Sequence, residues 1–397
     1  MGRRLEGSVA KVETDLIASF DYDVARALRQ LNSVETDLIT SCPLTPERAL
    51  NVRGNSARRN GFNNFVSFDG IGEWLYAVER SERAMAARTP RIASLLPSAT
   101  EIVCALGLAD ALVGITHECD YPPAIASKPR LTSSRISHQT MSSAEIDHAV
   151  RSQLDGHGSI YDLNEELLRE LKPDLILTQE LCDVCAVSYK TVSRAARMFE
   201  SEVRVVSLEP NTISDIFDNI LTVGRLAGKE DEAMRVVQEL TARLDALKTR
   251  VAHLARPRAL LLEWLEPPFA PGHWVPEQIE FAGGDPSFGF KGSPSRVTTA
   301  EEIKAYDPEK IVLIPCGYYR EDIFAALEKA RLPKGWRELC AVKRGEVWAT
   351  DATAYFSRPG PRVVRGAEIL ARIFHPEIFG PPDEEEAVRV PAALMRE

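Results

Sequence analysis

Two histidines and four cysteines are the side chains of this chain best suited to holding a soft or borderline metal ion. His117, Glu118 and Cys119 are consecutive, and Cys182 and Cys185 are separated by two residues. His273 lies between a glycine and Trp274, and Cys316 follows a proline. Two thiolates at Cys-x-x-Cys spacing can share one ion, and imidazole nitrogen ligates the same transition metals. The Cys182/Cys185 pair also reads as a redox dithiol, or as two inert thiols under a helix. Cys104 and Cys340 fall on apolar faces and read as core, and His138, His148 and His157 are scattered through polar loop. Other chemistries lack their signatures. The His117-Glu-Cys spacing is not that of two zinc-binding histidines on one helix face. There is no Gly-x-x-x-x-Gly-Lys phosphate loop and no Gly-x-Ser-x-Gly nucleophile elbow. Gly283-Gly284 ends a helix and does not open one, so it is not a dinucleotide fingerprint.

The elements that must position these groups are short apolar runs that read as buried strands, over 91–96, 112–116, 258–264, 311–315 and 346–350. In open α/β sheets a ligand sits outside the carboxyl ends of the strands. That rule singles out the exit loops around His117, Cys182, His273, Cys316 and Tyr355. If two lobes face one another, these loops meet in a cleft. Its expected contacts are His117, Glu118 and His273, with an aromatic wall of Tyr121, Trp264, Trp274, Tyr318, Tyr355 and Phe356, and Arg358 beside it. Its expected sulfur ligands are Cys119, Cys182, Cys185 and Cys316.

Two lobes are expected because the chain looks alike on either side of one long helix. Over 229–254 the apolar residues Ala233, Val236, Val237, Leu240, Leu244, Leu247, Val251 and Leu254 step by three and four, which makes a single stripe. At ~1.5 Å per residue that helix reaches roughly 35–40 Å. Upstream, residues 164–178 read as a short helix, a proline turn and a strand, and residues 299–313 repeat the order. Aligning Pro173 with Pro308 superposes Glu166 on Glu301 and Ile176 on Ile311, and Pro90-Arg91 is echoed by Pro257-Arg258. The expected division is an N-terminal extension over 1–89, an α/β lobe over 90–210, a linking helical segment over 211–256, a second α/β lobe over 257–379 and a solvated tail over 380–397. In the first lobe, Ser98-Ala-Thr-Glu101 matches a capping box at a helix start, and a helix is expected near 142–154. The extension carries a near-copy of residues 12–17 at 34–39 and no chemistry.

With 397 residues, 44% hydrophobic and 27% charged, there is room for two domains and a tail. A net charge of −10 argues against a nucleic-acid footprint, which needs a basic face. No run approaches the ~18 apolar residues of a membrane span. The first 30 residues alternate charged and apolar groups with no uninterrupted apolar core of a signal, and seven cysteines form no obvious disulfide framework. The expected compartment is the cytoplasm.

These stretches resemble the helical-backbone class (class III) of ABC-importer substrate-binding proteins, of the cobalamin- and ferric-siderophore-binding type. Carrying the resemblance are residues 91–101, 120–123, 171–176, Pro267-Pro-Phe269 with Ala282-Gly-Gly284, and Phe356 with Pro361-Arg362. The resemblance covers 90–375, and the Cys-x-x-Cys and Gly-His-Trp loops place the chain beside a cytosolic-looking subgroup. It implies two Rossmann-like lobes joined by one helix and a metal chelate, cobalamin or a comparable corrinoid, clamped between them. It further implies carboxylates at Glu166 and Glu301 that dock on arginines of a permease. The cleft tryptophans of the cobalamin binders would fall near Ile160 and Ser295, with Tyr161 and Trp274 as substitutes. The reading is a non-enzymatic binder of a metal-containing ligand. Its rival is a thiol-based metal or iron–sulfur carrier, or redox protein, built on Cys119, Cys182, Cys185 and Cys316.

Overall fold

The apolar runs are strands, and most of their residues are buried. The computed structural model describes residues 89–134, 141–155, 161–179 and 203–395, all within the compact unit Ile71–Glu397. In the N-terminal lobe, β1 (Ile92–Ser94), β2 (Leu112–Ile115), β3 (Leu175–Thr178) and β4 (Arg204–Ser207) form a parallel sheet in the order β2-β1-β3-β4. In the C-terminal lobe, β5 (Ala259–Leu262), β6 (Lys310–Leu313) and β7 (Val347–Thr350) are parallel, and β8 (Ala387–Arg389) adds antiparallel to the edge, in the order β8-β7-β6-β5. The edge strand corrects the expected solvated tail: Ala387, Val390 and Met395 are buried.

The helices used below are α1 (Pro97–Ala105), α2 (Ser143–Asp155), α3 (Glu165–Leu171), α4 (Ile213–Leu226), α5 (Glu230–Val251), α6 (Val275–Phe281), α7 (Ala300–Tyr306), α8 (Arg320–Lys329) and α9 (Val363–Phe374). The expected linking helix is α5, with Ala233, Leu240, Leu244, Leu247 and Val251 buried. Its stripe joins a core that takes Ile92, Leu175 and Leu177 from one sheet and Ala259, Leu261 and Val312 from the other. Because strand side chains alternate between faces, the opposite faces form separate cores. Ala93 and Ile176 go into one of these, and Leu260, Leu262, Ile311 and Leu313 into the other.

The internal repeat extends to individual hydrogen bonds. Helices α3 and α7 both end on a left-handed residue, Lys172 and Asp307, each at φ 43°. Arg91 Nε donates to the carbonyls of Leu171 and Lys172 at 3.2 Å, and Arg258 Nε to those of Tyr306 and Asp307 at 3.0 Å. The Arg91 amide is taken by Asp174 at 2.8 Å and the Arg258 amide by Glu309 at 3.1 Å. Each arginine thus satisfies helix-end carbonyls that have no partner inside the helix, and fixes the helix to the strand that follows.

Ser98 and Glu101 do not form the expected capping box. Helix α1 starts two residues earlier than a Ser98 cap would have it, at Pro97, its N-cap Leu96 has no side-chain cap, and the Glu101 carboxylate is used elsewhere. In the sequence, a glutamate three residues after a serine suits a cap or a distant cation equally well; with the helix begun at Pro97, Glu101 is its fifth residue and serves the cation.

Candidate functional site

Exit loops from the two sheets meet at a buried ion cluster. Arg362, at the start of α9, grips Glu101 of α1 with both edges of its guanidinium, Nε–Oε2 2.8 Å and Nη2–Oε1 2.6 Å. Arg358 reaches the same lobe, with Nη1 at 2.5 Å from Asp120, Nη2 donating to the Glu118 carbonyl at 2.8 Å, and Nη1 at 3.5 Å from Glu101. The side chains of Glu101 and Arg358 are 3% and 8% exposed, so these charges have left water almost completely. Burial works against the Arg358 charge, but Asp120 and Glu101 outweigh it and raise its pKa. The Arg362 guanidinium also stacks over the Tyr121 ring at 4.1 Å. Asp351, at the exit of β7, is pushed up by burial despite the hydrogen bond from Ala354 and the nearby arginines.

His117 leaves β2 beside this cluster. Its Nδ1 lies 2.7 Å from Thr132 Oγ1, which also takes the His117 amide at 3.1 Å, and its ring is 5.5 Å from that of Tyr161. Tyr161 OH donates to Glu118 at 3.0 Å. Burial lowers the pKa of His117, the Glu118 carboxylate only partly offsetting it, so the imidazole is neutral near pH 7. Nδ1 is held, and Nε2 is the ring nitrogen with no hydrogen bond among the described residues.

His273 has a different support. It is one of three non-glycine residues at positive φ among the described residues, at 48°. Its amide donates to the Ser293 carbonyl at 2.7 Å, and its carbonyl accepts from Gly292 at 2.9 Å. Gly272 must be glycine, since a Cβ there would lie 2.2 Å from the Ser295 nitrogen. Two close backbones thus force the strained conformation, a feature that concentrates at functional sites. Burial lowers the pKa of His273 as well. Both histidines belong to loops that touch the segment 356–362, through the Glu118 carbonyl on Arg358 and through Trp274 Nε1, which donates to the Phe356 carbonyl at 2.9 Å.

Several expected contacts are core instead. Trp274, Tyr318 and Phe356 are 6%, 2% and 2% exposed; their rings pack into the second lobe, because a strand-exit aromatic can turn back onto its own sheet as readily as outward. Arg358 is committed to carboxylates. Trp264 is half-buried, and its Nε1 donates to the Ser143 carbonyl at 3.2 Å. Glu118, Tyr121 and Tyr355 keep partly or fully exposed side chains, and Glu166 and Glu301 are exposed in the first turns of α3 and α7.

Of the four expected sulfur ligands only Cys119 and Cys316 are among the described residues. Cys182 and Cys185 lie outside the described residues, as do Ile160, His138 and His157. Cys119 is buried against Thr100 Oγ1 at 3.0 Å, and burial pushes its thiol up to about 12, so it stays protonated. Cys316 is exposed. Among the described residues no three His, Cys, Asp or Glu side chains are grouped to hold an ion. The metal-binding expectation and its iron–sulfur or thiol rival therefore find no support.

Sequence reasoning missed Glu101, Asp120 and Arg362 as interlobe groups, and Thr132 as the partner of His117. The available signal was two arginines four apart, bracketing Pro-Gly-Pro, in a chain whose first helix carries a carboxylate among apolar residues.

A family model described as "Periplasmic binding protein" matches residues 92–354. The vitamin B12-binding protein of Vibrio cholerae is 26% identical over 282 residues, covering 70% of this chain and 86% of that protein. An uncharacterised ABC transporter substrate-binding lipoprotein of Bacillus subtilis is 22% identical over 296 residues, covering 73% of this chain and 81% of that one. Among solved structures, a periplasmic heme-binding protein from Pseudomonas aeruginosa superposes with TM-score 0.58 at 20% identity, covering 76% of this chain and 99% of that one. The periplasmic vitamin B12-binding protein of Vibrio cholerae does so with TM-score 0.51 at 23% identity, covering 72% and 96%. These superpositions speak for the two-lobed α/β fold, and the relatives are binding proteins, not enzymes. They overturn the cytoplasmic expectation, since the relatives are periplasmic or lipoproteins and the likeness points outside the cytoplasm; the cytosolic subgroup has no support. No helix among the described residues is long and apolar enough to cross a membrane.

Proposed function

This chain belongs to the periplasmic binding protein family over residues 92–354, and from that premise we propose that it holds a corrinoid-type metal chelate between its lobes and presents it to an ABC permease. The observation that carries the reading is His117. It is a neutral imidazole at a strand exit, oriented through Nδ1 by Thr132, with no hydrogen bond to Nε2 among the described residues. A hydrogen bond to the second nitrogen is the usual way a protein orients a ligating histidine. His273, also favoured as neutral, is the second candidate axial ligand. Tyr121, Tyr161 and Tyr355 supply apolar surface, worth about 25 cal/mol per Å² covered.

Charge favours a corrinoid over a heme as the cargo. Heme carries propionates, which an open cation would recognise. Among the described residues the guanidiniums near these loops are engaged: Arg358 and Arg362 with carboxylates, and Arg130 with the carbonyls of Thr116 at 3.0 Å and Cys119 at 2.5 Å. An amide-fringed corrinoid needs no such cation. Calorimetric titration of the protein with hydroxocobalamin and with hemin tests this. Saturable binding of the first, at least tenfold tighter than the second, is expected; hemin binding tighter would overturn the choice, and binding of neither would overturn the function. Glu166 and Glu301 are the proposed permease contacts. Charge reversal at both is expected to abolish stimulation of a reconstituted permease and to leave chelate binding unchanged.

A further inference from the structure

The hydroxyl that holds His117 has more partners than protons. Thr132 Oγ1 lies 2.7 Å from His117 Nδ1, 2.7 Å from Thr116 Oγ1 and 3.1 Å from the His117 amide nitrogen. Both threonines are buried, so these contacts are not diluted by bulk water. Thr116 Oγ1 is 3.4 Å from Nδ1, too long to compete with Thr132 for it.

A hydroxyl donates one hydrogen bond and accepts two. The His117 amide can only donate, which uses one lone pair of Thr132. One proton and one lone pair remain for Thr116 and Nδ1, so these two must take opposite roles. In the first arrangement Thr132 donates to Nδ1 and accepts from Thr116, which puts the imidazole proton on Nε2. In the second, Thr132 accepts from a protonated Nδ1 and donates to Thr116, which leaves a lone pair on Nε2. The tautomer of the histidine and the direction of the bond between the two hydroxyls are therefore one variable.

The two arrangements differ in cost. In the first, the amide and both hydroxyl protons have acceptors within the group. In the second, the Thr116 hydroxyl proton has no acceptor among the described residues, although the side chain is buried. A buried donor left in this way is disfavoured enough to hold the second arrangement to about a sixth of the molecules or fewer.

We propose that ligand-free His117 keeps its proton on Nε2, held there by Thr116 acting through Thr132, and accepts a metal only as that proton is exchanged for one on Nδ1. This rests on the reading of His117 as a metal ligand. Ligation takes the Nε2 lone pair. The Nε2 proton leaves to solvent, solvent returns one to Nδ1, and Thr132 turns its own proton to Thr116, with no net proton gained or lost. Apparent affinity is lowered by the fraction of molecules in the ligating form, at least about sixfold. Thr116 and Thr132 are positioning residues, since neither meets the metal.

The experiment records long-range proton–nitrogen correlation spectra of the full chain, with its histidines isotopically labelled at nitrogen. At about pH 8 the lowered pKa keeps His117 neutral, and His117→Gln assigns its signals. The wild-type protein should show a protonated Nε2 and an unprotonated Nδ1. Thr132→Asp, whose carboxylate can only accept, should put a proton on Nδ1 and tighten hydroxocobalamin binding about fivefold or more in calorimetry. A wild-type proton on Nδ1 overturns the proposal, and so does a folded Thr132→Asp protein whose only imidazole proton stays on Nε2. A moved proton without tighter binding overturns the claim that the tautomer limits ligation. The expected spectra with no hydroxocobalamin uptake by any of the proteins would remove the chelate reading and leave the tautomer assignment standing. Should Thr132→Asp fail to fold, the wild-type spectrum decides alone, because it reports the tautomer with every hydroxyl in place.

Discussion

Replacing Glu101 by glutamine removes one charge from the cluster that ties the lobes while keeping the side chain's shape. Glu101 is 3% exposed and accepts two short bonds from Arg362. Breaking a buried ion pair from one side costs roughly 3–5 kcal/mol, because the remaining charge is left unpaired in a poor solvent. Here the low end applies. Arg362 is 19% exposed and recovers some water, and Arg358 keeps Asp120. The expected loss is about 3 kcal/mol. At about 2.1 cal/mol/K per residue over roughly 300 residues, the melting point should fall by about 5 °C. Calorimetry and urea denaturation of Glu101→Gln, Arg362→Gln and the double variant measure it. The double variant should lose at least ~1 kcal/mol less than the sum of the singles, since each single already destroys the pair. A loss under about 0.5 kcal/mol for Glu101→Gln, or strict additivity, would refute the idea that this pair holds the lobes together.

Two further outcomes follow from the loops around the cluster. His117 and His273 have pKa values lowered by burial, so the unfolded chain takes up protons first as pH falls. Their contribution to stability is complete above the usual imidazole range and is lost as pH falls through it. Stability should drop from about pH 6.5 downward, and a His117→Gln, His273→Gln protein should show a smaller drop in urea titrations at pH 5 and 7. Gly272→Ala would press a methyl to 2.2 Å from the Ser295 nitrogen; a destabilisation above about 3 kcal/mol is expected, beyond the ordinary range for single substitutions, and a near-neutral value by urea denaturation would contradict the close-approach account.

Periodicity made the framework legible. The stripe on α5, the strand runs and the pairing of Pro173 with Pro308 are local signals, and each corresponds to what the structure has. What local pattern does not encode is the partner across the gap. Glu101 reads as a cap because cap and ion-pair carboxylates share one spacing, and only the fold brings it to Arg362. Trp274, Tyr318 and Phe356 follow strands as cleft aromatics would, yet they turn inward, and a sequence does not say which way a loop side chain points. Helix α2 was visible as a helix, but its polar composition gave no hint that Ile146 enters the other lobe's core. The convergence of the His117 and Arg358 loops, by contrast, followed from the strand-exit rule.

The central claim is that His117 Nε2 meets the metal of a bound corrinoid. Mixing wild-type protein with hydroxocobalamin should shift the visible absorption bands as imidazole replaces the metal-bound oxygen ligand, and His117→Ala should abolish the shift and weaken binding at least tenfold. An identical shift and affinity in His117→Ala would contradict the account.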